Sequence, residues 1–368
     1  MAGRIGLIVY GNLDLASGGY LYDRALVATL CARGWGVHVF PLPPRSYPVN
    51  LLDNIRPGLT SSIERAGLDL LLEDELCHAS LVALNRDLKS RLGLPIVSIV
   101  HHLRSSEQHG YWPRWLHRKV EREYLRSVDA FVFNSPTTAD SVTGLSGSEK
   151  PSIVARPSGD RFQSRIGAVD IEARTKAALP LRIVFLGNVI SRKGLETLID
   201  AVALLPSGAW SLSVLGDLQI DSALTRRVRQ RIGSHGLRDR IWLAGRRVDG
   251  EVASILRSSH VLAVPSSYEG YGIAYLEAMS FGLPAIGTTQ GGASEIIDNG
   301  VNGWLVTPRD PQGLARALRS YIDDPKLLLS MSQAALRTSA RHPTWSESMD
   351  RAATFLETIV TGRNDETA

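Results

Sequence analysis

The stretch PSSYEGYGIAYLEAMSFGLPAIG, residues 265–287, reads as the exit from a strand, a loop broken by glycines, and a helix. The run before it, HVLAV at 260–264, is apolar almost without interruption. A buried strand that passes at once into a helix is the repeating half of a parallel α/β sheet. Gly270, Tyr271 and Gly272 allow a tight turn into that helix. Two carboxylates, Glu269 and Glu277, flank the turn with seven residues between them. Glu269 falls on the loop. Glu277 falls a turn or two inside the helix, its side chain directed back towards the helix N-terminus. A carboxylate accepts hydrogen bonds through two oxygens and can grip a pair of sugar hydroxyls. The plainer alternative is a helix cap and a solvated helix residue. The glycines, tyrosine and helix together make the pattern more specific than two glutamates alone.

Working outward, the same alternation fills the chain. Strands are expected at residues 4–10, 37–41, 68–72, 96–100 and 130–133, with a helix at 19–33. The series restarts with strands at 182–186, 212–215, 241–243, 260–264 and 285–286. Continuous apolar strands alternating with helices indicate parallel sheets covered on both faces. The irregular, charged stretch at 155–180 is read as a linker between two doubly wound domains. The division expected is 1–165 for an N-terminal Rossmann-like domain and 166–343 for a C-terminal one. Residues 344–368 form a last helix, returning to the N-domain, and a polar tail.

At 368 residues, two domains are the natural expectation. Cys31 and Cys77 are the only cysteines and lie in no C-x-x-C pattern, which argues against a disulfide framework or structural zinc. The first apolar run, about six residues, is too short for a signal core or a membrane span. A cytoplasmic enzyme is expected, peripheral at most to the inner membrane face. A formal charge of +4 suits phosphates or an anionic surface, and no nucleic-acid signature accompanies it.

Two glycine loops follow the opening strands of the two series. Gly18-Gly19 precedes the first helix; the spacing is not the dinucleotide G-x-G-x-x-G. It serves either a tight turn or an anion at a helix N-terminus. In the second series a strand ends at Gly187, and Arg192-Lys193-Gly194 precedes a helix. A cationic pair at a strand's carboxyl end suits a diphosphate; two solvated loop cations is the alternative. Open parallel sheets bind ligands at that end.

The C-terminal half resembles the retaining glycosyltransferases of family four. Their E-x7-E signature, E-G-F-G…L-E-A-M-x-x-G-x-P, is matched by Glu269-Gly270-Tyr271-Gly272…Leu276-Glu277-Ala278-Met279-Ser280-Phe281-Gly282-Leu283-Pro284. GGASEIIDNGVNGWLV then resembles the family's next motif. The strongest likeness spans about residues 182–310, with a weaker one in SGGYLYDRALVATLCARGWGVHVF and DAFVFNSPTTAD. The resemblance implies a GT-B fold, two Rossmann-like domains facing a central cleft. It implies that Glu277 binds ribose hydroxyls, and that Glu269 contacts the donor sugar near its C3 and C4 hydroxyls. Lys193, with Arg192, would hold the leaving diphosphate, and Gly18 and Gly19 would line its other side. Gly187, Gly270, Tyr271 and the amides near Gly272 and Ile273 would complete the donor pocket. Two departures stand out. The family's usual G-R is Gly187-Asn188 here, and its P-N-G-V-D is Pro157-Ser158-Gly159-Asp160.

VSIVHHLRSSEQHG places His101 and His102 after a strand, where a family histidine lies beside the donor sugar. His101 is the one chosen, as a third catalytic residue that positions the sugar or sets polarity at the reacting carbon. Glu107 and His109 follow on a loop over the acceptor. Glu73-Asp74-Glu75, after another strand, is read as solvated or helix-capping, with acceptor binding as the alternative. No D-x-D occurs, so neither a metal nor a resident cofactor is expected. PRWLHRKVEREYLRS makes a helix with Arg114, Arg118, Arg122 and Arg126 in one stripe and Trp112, Trp115, Leu116, Val120 and Tyr124 on an apolar face. Such a helix more often packs on its own sheet, although residues 112–126 also suit contact with an anionic membrane. RRVRQR at 226–231 is read as a solvated face.

These readings converge on a retaining, metal-independent transfer of a sugar from a nucleoside diphosphate donor, UDP-sugar favoured, to a hydroxyl acceptor such as a glycan, lipid or small molecule. Closure of the domains would exclude water and align the reactants. A sugar phosphorylase on the same fold and a non-catalytic partner subunit are the alternatives. A nicotinamide oxidoreductase is disfavoured by the missing glycine fingerprint.

Overall fold

The computed structural model describes residues 3–14, 17–55, 58–106, 114–162, 164, 166–176 and 179–366. The chain forms two compact units. The first combines Met1–Pro157 with Trp345–Ala368, and the second is Ser158–Thr344.

The first unit carries β1 (Gly3–Tyr10), β2 (Trp35–Leu42), β3 (Leu70–Asp74), β4 (Ile96–Val100), β5 (Ala130–Phe133) and β6 (Ser152–Val154). They pair in parallel in the order β2-β1-β3-β4-β5-β6. β3 and β4 are buried at every position, as inner strands between two helical layers must be. Each large aliphatic side chain buried there contributes about 1.5–3 kcal/mol. The last helix, Trp345–Glu366, packs on helix Gly18–Ala32. Met349, Ala352, Ala353 and Leu356 enter the core with Tyr22, Leu26 and Leu30. Arg33 clamps the pair through Asp350 and Glu357, each at 3.1 Å.

The second unit carries β7 (Leu181–Leu186), β8 (Trp210–Leu215), β9 (Ile241–Gly245), β10 (Val261–Ala263), β11 (Ala285–Thr288) and β12 (Gly303–Val306). Their order is β12-β11-β10-β7-β8-β9, again parallel. In both sheets the strand order reverses at one point: between β1 and β3, and between β7 and β10. Loops leaving adjacent strands diverge there, and the crevice they leave is where such sheets hold ligands.

Four local expectations change. The stretch 155–180 is not all irregular: Ala168–Lys176 is a helix. Its Ile171 is buried, and Arg174 donates to the Phe281 and Gly282 carbonyls at 2.9 and 2.7 Å. A buried guanidinium capping another helix's end hides behind a polar sequence. The division between units falls at Pro157/Ser158, ahead of residue 165, because Phe162 belongs to the second core. Glu73, Asp74 and Glu75 are fully buried, not solvated, because β3 is an inner strand that runs on to Asp74. Asp74 does cap, accepting from the Leu76 amide at 2.9 Å. The short strands β6 and β12 are not among those expected.

Helix Arg114–Ser127 turns a mixed face inward. Tyr124, Leu125, His117 and Glu121 are buried, whereas Trp115 is 65 % exposed and does not join the apolar face. Arg122 and Arg126 donate to the Leu145 and Ser146 carbonyls at 3.1 and 3.3 Å, at the end of the next helix. Glu107, His109 and Trp112 lie outside the described residues. No helix of the described residues is long and apolar enough to cross a membrane.

Candidate active site

In the second unit the groups gather at the carboxyl ends of β7 and β10. After Gly187 the chain makes a 3-10 turn, Ser191–Lys193, then helix Leu195–Ala203. Gly194 joins the two at φ 71°, with its Cβ position 2.1 Å from the Pro265 carbonyl oxygen, so only glycine fits. That contact holds the cationic turn against the loop leaving β10. The Lys193 methylenes run past Gly187, and the ammonium ends 2.7 Å from Glu269 Oε2. Ser266 Oγ donates to the same oxygen at 2.9 Å. Arg192 lies 3.8 Å from Glu269 Oε1 and donates to the Tyr268 carbonyl at 2.8 Å. The Gly292 amide holds the Glu269 carbonyl at 2.8 Å.

Glu269 is 8 % exposed. Burial alone would raise its pKa, but Lys193, then Arg192, then the hydrogen bonds from Lys193 and Ser266 outweigh it and hold the group at about 2. Glu277 differs. It lies in helix Ile273–Met279, 4 % exposed, and meets one guanidinium, Arg161 Nε, at 3.0 Å. Burial pushes it up to about 7, opposed by Arg161, reinforced by Asp249 and opposed by Lys193. Two carboxyls of one motif thus sit at opposite ends of the carboxylate range.

Gly270, Tyr271 and Gly272 lead into the helix that Ile273 opens. Their backbones lie between the carboxylates, but the Tyr271 side chain serves another purpose. It is buried, with its hydroxyl 2.6 Å from His342 Nε2. Asn188, where the family has arginine, accepts from the Asp217 amide at 3.2 Å and fixes the β7 and β8 loops together.

In the first unit Gly18 and Gly19 open helix Gly18–Ala32, with Ser17 as N-cap. The His101 ring packs directly over Gly19, whose Cβ position is 3.2 Å from the imidazole. His101 Nε2 is 3.2 Å from Asp23 Oδ1, and Tyr22 meets the ring edge-on at 5.2 Å. Asp74 brings a carboxylate oxygen within 4.8 Å of both groups. Burial opposes protonation of His101, but Asp23, by charge and hydrogen bond, and Asp74 raise its pKa. Burial, then Asp23, push Asp74 up in turn. His102 is half-buried beside them. A second polar group, Glu75, His78 and Glu121, is also close enough to ligate an ion. There His78 already bonds the Tyr47 hydroxyl at 3.1 Å and the Glu75 carbonyl at 2.9 Å.

Three residues of these clusters escaped the sequence reading. Arg161 lay in the stretch taken for linker. Ser266 carries no signal beyond its place three residues before Glu269. Asp23 was legible in principle, as an acid one turn past Gly19 on a helix whose inner face is otherwise apolar. Asp74 is named in the sequence, but in an acidic run read as solvated or helix-capping, with acceptor binding as the alternative.

Known proteins match this chain along most of its length. Residues 18–159 match the glycosyl transferase 4-like domain, and residues 170–338 match glycosyl transferases group 1. A D-inositol 3-phosphate glycosyltransferase of Catenulispora acidiphila is 26 % identical over 355 residues, covering 88 % of this chain and 81 % of that one. The glycogen synthase of Mycobacterium tuberculosis is 28 % identical over 299 residues, covering 76 % and 67 %. Among solved structures, sucrose-phosphate synthase from Thermosynechococcus elongatus superposes with a TM-score of 0.81 at 20 % identity, over 98 % of this chain and all of that one. Anabaena HepE, in complex with UDP and glucose, gives 0.77 at 20 % identity, over 97 % and 100 %.

Proposed function

The chain belongs to the group 1 glycosyltransferases, of the family-four type with the GT-B fold, and on that premise we propose that it is a retaining enzyme using a nucleoside diphosphate sugar. The second unit binds the donor and the first binds a hydroxyl acceptor, a glycan, lipid or small molecule. The observation that carries this reading is the Lys193–Glu269 pair at 2.7 Å, with Glu277 on the following helix. Glu277 takes the ribose hydroxyls. Glu269, held ionised, takes hydroxyls of the transferred sugar. Lys193 and Arg192 neutralise the diphosphate, with the backbone from Gly270 to Ile273 and Gly187 beside it. His101, with Gly18 and Gly19, is assigned to the transferred sugar and its diphosphate.

The bond from the anomeric carbon to the phosphate oxygen breaks through an oxocarbenium-like state. The acceptor oxygen bonds to the same face, and its proton passes to the departing phosphate oxygen. Because cationic side chains meet the leaving group, no metal is needed in that step. UDP is favoured as the nucleotide, supported by a fold neighbour that holds UDP and glucose. Exposed Trp115, Arg118 and Lys119 support peripheral contact with an anionic membrane, checked by co-sedimentation with phosphatidylglycerol vesicles and its loss in Trp115→Ser.

The test is nucleoside diphosphate release from UDP-, GDP-, ADP- and TDP-glucose with an acceptor panel, in EDTA, with NMR assignment of the product anomer. Acceptor-dependent release with the donor's α configuration kept is expected. Inverted product, or release only when phosphate replaces the acceptor, would overturn it.

A further inference from the structure

We propose that Arg161 is a positioning residue of the donor site, holding the Glu277 carboxylate in place for a ribose diol. The proposal rests on the reading of Glu277 given above. Arg161 Nε meets Glu277 Oε1 at 3.0 Å, and its guanidinium lies over the Phe162 ring, 4.3 Å from the centroid. The arginine is anchored on both sides. Phe162 is buried in the second core. Gly159 presses on the helix itself, its Cβ position 2.4 Å from the Leu276 carbonyl carbon and 2.6 Å from the Glu277 amide nitrogen. Any side chain at 159 would lift the segment away. The loop therefore touches the helix at the residue that carries the carboxylate.

One ion-pair contact, at Oε1, leaves the carboxylate's other acceptor positions for two hydroxyls. The charged groups facing Glu277 are Arg161, Asp249 and Lys193. Asp249, on the opening turn of helix Asp249–Ser258, lies 3.9 Å from the Arg161 guanidinium and acts against it. A buried carboxyl that must accept from two hydroxyls works as the anion, and Arg161 supplies the charge that favours the anion. Donor affinity is then set by a residue that need not touch the donor. Arg161 and Asp249 act on it with opposite signs.

The nucleoside diphosphate that binds the wild type, among UDP, GDP, ADP and TDP, is titrated calorimetrically from pH 6 to 9. The proteins are wild type, Arg161→Gln, Arg161→Lys and Asp249→Asn. An opposite charge at this range lowers a carboxyl pKa by about one unit or more, so Arg161→Gln weakens binding roughly fivefold or more at pH 7. The loss recovers as pH rises. Arg161→Lys keeps most of the affinity, and Asp249→Asn moves the binding midpoint to lower pH. In turnover, Arg161→Gln raises the donor KM and leaves kcat at saturating donor close to wild type. Wild-type affinity and midpoint in Arg161→Gln would overturn the proposal. If that variant does not fold, an unmoved midpoint in Asp249→Asn, an exposed substitution, overturns it equally. Wild type binding none of the four, or Glu277→Ala binding as well as wild type, would instead overturn the donor reading, and this proposal with it.

Discussion

Lys193 Nζ and Glu269 Oε2 lie 2.7 Å apart, joining the loop after β7 to the loop after β10 across the reversal point of the second sheet. Both side chains are largely buried, so each depends on the other. Removing one partner of a buried pair leaves an uncompensated charge, at a cost of about 3–5 kcal/mol. Lys193→Met should lower the melting temperature and abolish transfer. Glu269→Gln strands the Lys193 cation but keeps an amide oxygen that can accept from it, and should abolish transfer with a smaller loss of stability. Equal melting of both variants and wild type would show that the pair is not held as described.

The same pair sets an acid limit. The Glu269 pKa is depressed in the folded state to about 2, below the unfolded value near 4.3. Its stabilisation is therefore complete above the unfolded value and fades as pH falls from about 5 towards 2. It amounts to about 3 kcal/mol. Denaturant titrations over that range should show a steep acid loss in wild type that is shallower in Glu269→Gln.

Glu277 behaves in the opposite way. Its folded pKa of about 7 lies above the unfolded value, so the folded state holds the proton more tightly. The contribution is present below about pH 4 and is lost as pH rises through 7. At pH 8 the buried anion costs the free protein about 3 kcal/mol. Glu277→Gln should raise the melting temperature at pH 8 and weaken nucleotide binding, so the stabilised variant is the inactive one. A lower melting temperature at pH 8 would argue against a strained anion at this site.

His101 is raised by Asp23 and Asp74, so its contribution is present below about pH 6.5 and fades as pH rises through the higher folded value. NMR titration should give His101 a pKa above the ordinary imidazole value in wild type and below it in Asp23→Asn. Transfer by Asp23→Asn should fall, with a displaced pH profile. An unmoved imidazole would detach Asp23 from the site.

Arg174 should act at a distance. It holds the Phe281 and Gly282 carbonyls just past the helix that bears Glu277. Charge-assisted hydrogen bonds contribute about 1.5–3 kcal/mol each. Arg174→Ala should destabilise the second unit by a few kcal/mol, and Arg174→Lys, which cannot span both carbonyls, by less. Thermal melts would check this ordering.

The frame of this protein is written in short apolar runs. Residues 96–100 and 130–133 are found as β4 and β5 with the ends expected of them. Lys193 and Glu269 stand out because each follows an apolar strand on a glycine-marked loop, and Glu277 because it falls inside the helix that follows Gly270 and Gly272. What stayed hidden depends on neighbours distant in the chain. Glu73 and Asp74 look solvated until β1 and β4 close over β3. Arg161 and Arg174 look like linker charges until Glu277 and the Gly282 carbonyl meet them. The direction of the Tyr271 hydroxyl, towards His342, is a packing outcome that no spacing encodes.

The most direct measurement is the thermal shift of the purified protein with UDP, GDP, ADP and TDP, for wild type beside Glu277→Ala. A ligand that binds only the folded state raises its apparent stability by about 2.7 kcal/mol at a hundred times its Kd. Stabilisation by one nucleotide, UDP first, that disappears in Glu277→Ala is the expected result. Stabilisation of the same size in both proteins, or none in a folded wild type, would contradict a ribose held by Glu277.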